Sequence, residues 1–306
     1  MTVLSNPSKS AVLLLAHGSP ESADEIPEFL LQVTGGRQLP PSVVEEVKRR
    51  YRLIGVSPLT SWTMEQRDLL AHELNMPVYV GMRNWKPFTA DTLRAIAADG
   101  VRHVVAICLA PQNSRTSVGL YRSGLAVEGA PFTVDFVESW HDQPSLVQAF
   151  AERLHSGLQS AQAEYNAMLP VIFTAHSVPQ RTITEGDPYE AQAKETAALV
   201  AREAKLSLEQ WVFAFQSQGM SGGPWLGPTV EDTILDLRAE GYRGVFIQPI
   251  GFLCDHVEIL YDIDIGFKQF AETEQMKLWR AQSLNDSPLL IKALAEIARS
   301  RLGPAT

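Results

Sequence analysis

Six short runs rich in Val, Ile and Leu punctuate the chain without the polar alternation of a half-buried strand. They are Val12–Leu15, Val78–Val80, Val104–Leu109, Val134–Val137, Val171–Phe173 and Val245–Ile250. Continuous apolar runs of this length suit strands covered on both faces. Between them lie stretches with helix-like character: Ser42–Tyr51, Met64–Leu74, Ala90–Ala98, Ser145–Gln159, Tyr189–Ala204 and Val230–Glu240. Parallel strands need a crossover, and a helix supplies it, so the alternation predicts an α/β chain with parallel sheets covered by helices.

The pattern then repeats. Leu13-Leu14-Leu15-Ala16-His17-Gly18-Ser19-Pro20 is echoed by Ile172-Phe173-Thr174-Ala175-His176-Ser177-Val178-Pro179, an apolar strand running into Ala-His, a small residue and Pro. Later, Asp99-Gly100-Val101-Arg102-His103-Val104-Val105 is echoed by Glu240-Gly241-Tyr242-Arg243-Gly244-Val245-Phe246, in the same order. The two echoes predict a duplicated α/β lobe, residues 1–155 and residues 156–306, which suits a chain of 306 residues. Open α/β sheets bind ligands beyond the carboxyl ends of their strands. Two facing lobes therefore put His17 and His176 on opposite sides of one ligand cleft.

Composition narrows the chemistry. The formal net charge of −9 disfavours a nucleic-acid surface, which needs clustered Lys and Arg. Two cysteines, Cys108 and Cys254, are too few for a disulfide scaffold, a four-cysteine zinc site or a Cys-ligated iron–sulfur cluster. The apolar run Ala11–Ala16 is far shorter than a membrane span, and no cleavage pattern follows it. A cytoplasmic protein without obligate membrane contact is expected.

His176 ends a buried strand where the chain turns at Pro179, and its imidazole suits metal ligation or proton transfer near neutral pH. A structural histidine bonded to a loop carbonyl is the plainer alternative. In the segment Pro249–Asp264, helical spacing sets Asp255, Glu258 and Asp262 on one stripe, with Asp255 near the helix start. The alternative is a solvated face on which Asp255 merely caps the helix. Residues 216–228 form a loop punctuated by Gly and Pro around Trp225, suited to walling a cleft or packing the lobes. Arg50, Tyr51, Ser57 and Tyr121 together offer donors for a carboxylated ligand, with Arg suited to bidentate contact, although each taken singly favours a structural role. Neither nucleotide-binding glycine loop is found, and His17-Gly18-Ser19 is not a hydrolase nucleophile elbow.

Ala175-His176-Ser177-Val178-Pro179, Gly186-Asp187-Pro188-Tyr189, Pro224-Trp225-Leu226-Gly227-Pro228 and Asp255-His256-Val257-Glu258, followed by Leu260-Tyr261-Asp262, resemble the ferrochelatase family in order and spacing. Ser57-Pro58-Leu59 and Ser283–Leu289 extend the similarity along the chain. The resemblance implies two Rossmann-like lobes, each with a four-stranded parallel sheet, and insertion of ferrous iron into a porphyrin in haem synthesis. It makes His176 and Glu258 the catalytic and metal-binding pair, with Fe(II) as substrate and no tightly bound cofactor.

The short Leu39-Pro40-Pro41-Ser42 connection, Leu109-Ala110-Pro111 and Tyr121 look most like the soluble branch that takes coproporphyrin III. By that resemblance Arg50, Tyr51, Ser57 and Tyr121 contact porphyrin carboxylates, and His17 faces the iron of the haem product. The branch usually has Tyr at the position of His17, an Arg where Thr34-Gly35 stands, and often a further acid at Gly266. A monomer is expected. The alternatives are a protoporphyrin IX ferrochelatase, a cobalt or nickel chelatase of a related tetrapyrrole, and a non-catalytic haem-binding protein.

Overall fold

The computed structural model describes residues 9–126, 129–219 and 223–302. Two four-stranded parallel sheets carry the fold. The first comprises β1 (Ser10–Ala16), β2 (Val78–Met82), β3 (His103–Cys108) and β4 (Thr133–Val137), in the order β2-β1-β3-β4. The second comprises β5 (Val171–His176), β6 (Trp211–Gln216), β7 (Gly244–Pro249) and β8 (Lys277–Arg280), in the order β6-β5-β7-β8. The order is the same in both, as the internal echo predicts, and His17 and His176 follow or end the corresponding central strands.

In the first half the helices are α1 (Ile26–Val33), α2 (Pro41–Ile54), α3 (Leu59–Leu74), α4 (Thr89–Ala98), α5 (Val118–Ser123) and α6 (Pro144–Tyr165). In the second they are α7 (Gln180–Thr184), α8 (Tyr189–Glu203), α9 (Val230–Ala239), α10 (Val257–Leu260), a π-helical turn (Asp262–Phe267), α11 (Lys268–Thr273) and α12 (Pro288–Leu302). All six expected strands and all six expected helices are present. The two further strands, β6 and β8, are the edges of the second sheet. Trp211, Phe213 and Phe215 make β6 aromatic rather than aliphatic, and β8 is four residues with charged ends, so neither shows an unbroken Val/Ile/Leu run.

Leu13, Leu15, Val104 and Ala106 pack with Leu93 and Ile96 of α4 on the outer face of the first sheet. Ile172, Val245 and Ile247 pack with Ile234 and Leu237 of α9 on that of the second. The inner faces share one core: Val12, Leu14 and Val105 of the first sheet and Val171, Phe173 and Phe246 of the second belong to it. Leu146, Phe150 and Leu154 of α6 and Leu290 and Leu294 of α12 complete it. The terminal helix of each half crosses over: α6 packs against β7, β8 and α8, while α12 packs against α3 and β3. The division expected after residue 155 thus falls inside an unbroken helix.

Candidate active site

Each central strand delivers its histidine to the carboxyl edge of its sheet, where the flanking strands diverge. After β1 the chain turns at Gly18, whose φ of +83° and tight surroundings both demand glycine. A Cβ there would meet the backbone nitrogen of Trp85 at 2.9 Å. That close approach brings the loop after β2 against His17. The His17 Nδ1 lies 3.0 Å from the carbonyl oxygen of Gly18, and its Nε2 lies 2.9 Å from Asn84 Nδ2. The residue as a whole is exposed, but its ring packs edge-on against Phe29, with centroids 5.9 Å apart. The resulting desolvation, with the Arg83 charge nearby, lowers its pKa to about 4.

His176 repeats the geometry, its Nδ1 meeting the carbonyl of Ser177. The turn that follows is braced by the Trp225 loop: Ser177 Oγ donates to the carbonyl of Leu226 at 2.9 Å, and Leu226 N–H donates to Val178. Tyr189 Oη donates to the His176 carbonyl at 2.9 Å. Residues 220–222 of the loop lie outside the described residues.

The Nε2 of His176 is 3.6 Å from Glu258 Oε2. His256, a residue that sequence reasoning quoted but gave no role, places its Nε2 3.9 Å from the same oxygen and its Nδ1 3.0 Å from the Cys254 carbonyl. Burial lowers the His256 pKa, against the opposing pull of the Glu258 charge. A carbonyl oxygen only accepts, so both rings carry hydrogen on Nδ1, and when neutral turn a bare Nε2 lone pair toward Glu258. Glu258 Oε2 is itself buried and accepts no hydrogen bond. Three acceptors converge on one spot, an arrangement that a proton or a cation stabilises. Among the described residues, no three His, Cys, Asp or Glu side chains are grouped closely enough to cage an ion.

The expected acidic stripe is corrected here. Asp255 precedes the helix, which is capped at His256, and makes no side-chain cap. Its carboxylate instead accepts from Ser283 Oγ at 2.8 Å and Asn285 Nδ2 at 3.0 Å, and pairs with Arg280 at 3.3 Å. Asp262, in the π-helical turn, accepts from Ser217 Oγ and lies 3.6 Å from Arg50 Nη1. Burial raises its pKa to about 6 despite Ser217 and Arg50.

Of the other expected contacts, Arg50 also pairs with Glu46 at 3.0 Å and lies over the Tyr261 ring, joining the two halves at the cleft edge. Tyr51 is buried, its hydroxyl 3.1 Å from Ser19 Oγ, and burial raises its pKa to about 12. His17 and Tyr51 both feel the Glu258 charge, which brings the first half's residues up to the second half's pair. Ser57 Oγ is buried without a hydrogen-bond partner. Tyr121 is buried beneath Arg83, a cation that among the described residues has no carboxylate partner. Sequence reasoning passed over Arg83 and Asn84; their place just beyond β2, at the carboxyl edge of a strand, was the available signal.

A family model described as Ferrochelatase matches residues 9–302. The chain is 53% identical to a ferrochelatase of Acidobacterium capsulatum, covering 96% of this chain and 95% of that protein. It is 39% identical to a ferrochelatase of Deinococcus radiodurans, covering 97% of each. It is 34% identical to a coproporphyrin III ferrochelatase of Geobacillus sp. strain WCH70, covering 96% and 98%. Among solved structures, SirB from Bacillus subtilis with Fe3+ shares the fold at a TM-score of 0.60 and 11% identity, with 95% of each chain covered. Among the described residues no helix is long and apolar enough to cross a membrane.

Proposed function

The chain belongs to the ferrochelatase family, and from that premise we propose that it inserts ferrous iron into coproporphyrin III, with His176 and Glu258 at the reacting centre. The observation that carries this reading is the buried, unpartnered Glu258 Oε2 facing the Nε2 lone pair of His176. Insertion needs acceptors there, because a free-base porphyrin must lose two central protons as the metal enters. His176 Nε2 takes one proton and the Glu258 carboxylate takes the other. The same two atoms first meet the incoming Fe(II), for which an imidazole and a carboxylate are suitable ligands. Its water ligands are exchanged for the four ring nitrogens as those protons leave.

The porphyrin lies between the halves, with His17 on its far face. Arg50, Tyr51, Ser57 and Tyr121 contact its carboxylates, joined by Arg83. The buried Ser57 hydroxyl without a hydrogen-bond partner supports this, as does the half-buried Arg83, which lies over the Tyr121 ring and has no carboxylate partner among the described residues. A carboxylate-rich ring such as coproporphyrin suits these donors better than protoporphyrin, and the Geobacillus relative's name agrees.

Anaerobic iron insertion tests both parts. Wild-type protein is expected to prefer coproporphyrin III over protoporphyrin IX, and His176→Ala and Glu258→Gln each to lose at least about 100-fold in rate. A protoporphyrin preference would reverse the substrate, and near-normal rates in both variants would remove the pair from the chemistry.

A further inference from the structure

We propose that Asn84 is a positioning residue that occupies the coordinating lone pair of His17, closing the amino-terminal face of the cleft to iron so that metal and protons pass on the His176 side. The inference rests on the preceding reading, in which the iron porphyrin lies between His17 and His176.

The two histidines occupy equivalent places in the duplicated halves and adopt the same tautomer. Each has its Nδ1 against the carbonyl of the next residue, Gly18 at 3.0 Å and Ser177. A carbonyl has no proton to give, so in both rings Nδ1 bears the hydrogen and Nε2 bears the lone pair. The halves differ in what meets that lone pair. At His176 it is the Glu258 carboxylate, 3.6 Å away and unable to donate when ionised. At His17 it is the Asn84 side chain, 2.9 Å away. Since Nε2 there only accepts, Asn84 must present its NH2 group.

The cap is firmly built. Asn84 is 4% exposed, and its own backbone N–H donates to the His17 carbonyl at 3.0 Å. Trp85 beside it is 2% exposed and packs its backbone against Gly18. His17, by contrast, is an exposed residue. A neutral, accessible imidazole is a strong haem-iron ligand. Here the residue is exposed and the ring's electron pair is engaged. For iron to bind, the Nδ2–H···Nε2 bond must break as the Fe–Nε2 bond forms, with no change in oxidation state. A histidine free to ligate would hold the product; the capped one lets it leave.

Titration of ferric coproporphyrin III, followed by absorption and electron paramagnetic resonance, tests this. Asn84→Leu conserves shape but cannot donate, and is expected to bind the iron porphyrin about tenfold tighter, the scale of one lost neutral hydrogen bond. It should also show a low-spin, imidazole-ligated spectrum that disappears in Asn84→Leu/His17→Phe. In iron insertion the first turnover should keep its rate while later turnovers slow, and His17→Phe added to it should restore them.

A His17-dependent low-spin spectrum already present in wild type would overturn the proposal. So would wild-type affinity in Asn84→Leu, or a tightening in Asn84→Leu that persists in Asn84→Leu/His17→Phe, which would mark a merely structural role. Failure of the function itself reads out separately, as absence of insertion by wild-type protein.

Discussion

His17, His176 and His256 each turn Nδ1 to a backbone carbonyl, so one local rule fixes three tautomers. What distinguishes them is the partner of Nε2. Two of the three residue roles were suggested by strand ends alone; His256 needed the fold, because its position two residues before Glu258 points nowhere until the helix start is known. His17 also makes a testable statement about stability. Its pKa falls from 6.5 to about 4 on folding, so between those values the unfolded chain binds the proton more readily. Stability therefore rises with pH across that window and falls as pH drops through it. The residue's exposure screens the effect, so the slope should be shallow. Urea unfolding of wild type and His17→Phe between about pH 4 and 6.5 should show a shallower dependence in the variant. Identical slopes would mean that His17 keeps its ordinary affinity for protons.

At the scale of elements, the inner β1, β3, β5 and β7 were legible because both faces are covered, leaving apolar runs with no alternation. The edges β6 and β8 were not, because β6 is aromatic rather than aliphatic and β8 is four residues with charged ends, whereas the edges β2 and β4 carry Val-containing runs. The acidic stripe failed for a separate reason. Helical spacing presupposes an α-helix through Asp255, whereas the helix begins at Val257 and passes into a π-helical turn at Asp262. Glycine in α6 makes a sharper case. Gly157→Ala should gain about 1 kcal/mol of helix propensity. Its Cβ would meet Phe246 Cζ at 2.8 Å, within the fully buried core of β7. Overpacking of this kind costs about 1–3 kcal/mol, so the variant should be net destabilised. The urea midpoint decides it: a rise would show that the Phe246 ring yields without cost.

Across the whole molecule, duplication did not produce two free-standing halves. Because α6 lies on the second sheet and α12 on the first half's α3 and β3, each half in isolation would leave a long apolar stripe bare. Separately expressed residues 1–155 and 156–306 are expected to show no cooperative urea transition, and to regain one when co-expressed. A cooperative transition from either alone would show that the shared core is dispensable. What the sequence by itself determined is the repeated α/β order, the Ala-His strand ends and the resemblance that pairs His176 with Glu258. These are local patterns, written in contiguous residues. Only the tertiary structure decided that Asp255 turns away to Arg280, that His256 joins Glu258, that Asn84 engages His17, and that the terminal helices cross. All but the His256–Glu258 pair, which depends on where the helix starts, join groups far apart in the chain. Their meeting is set by sheet order and by burial of one common core, which no local pattern encodes.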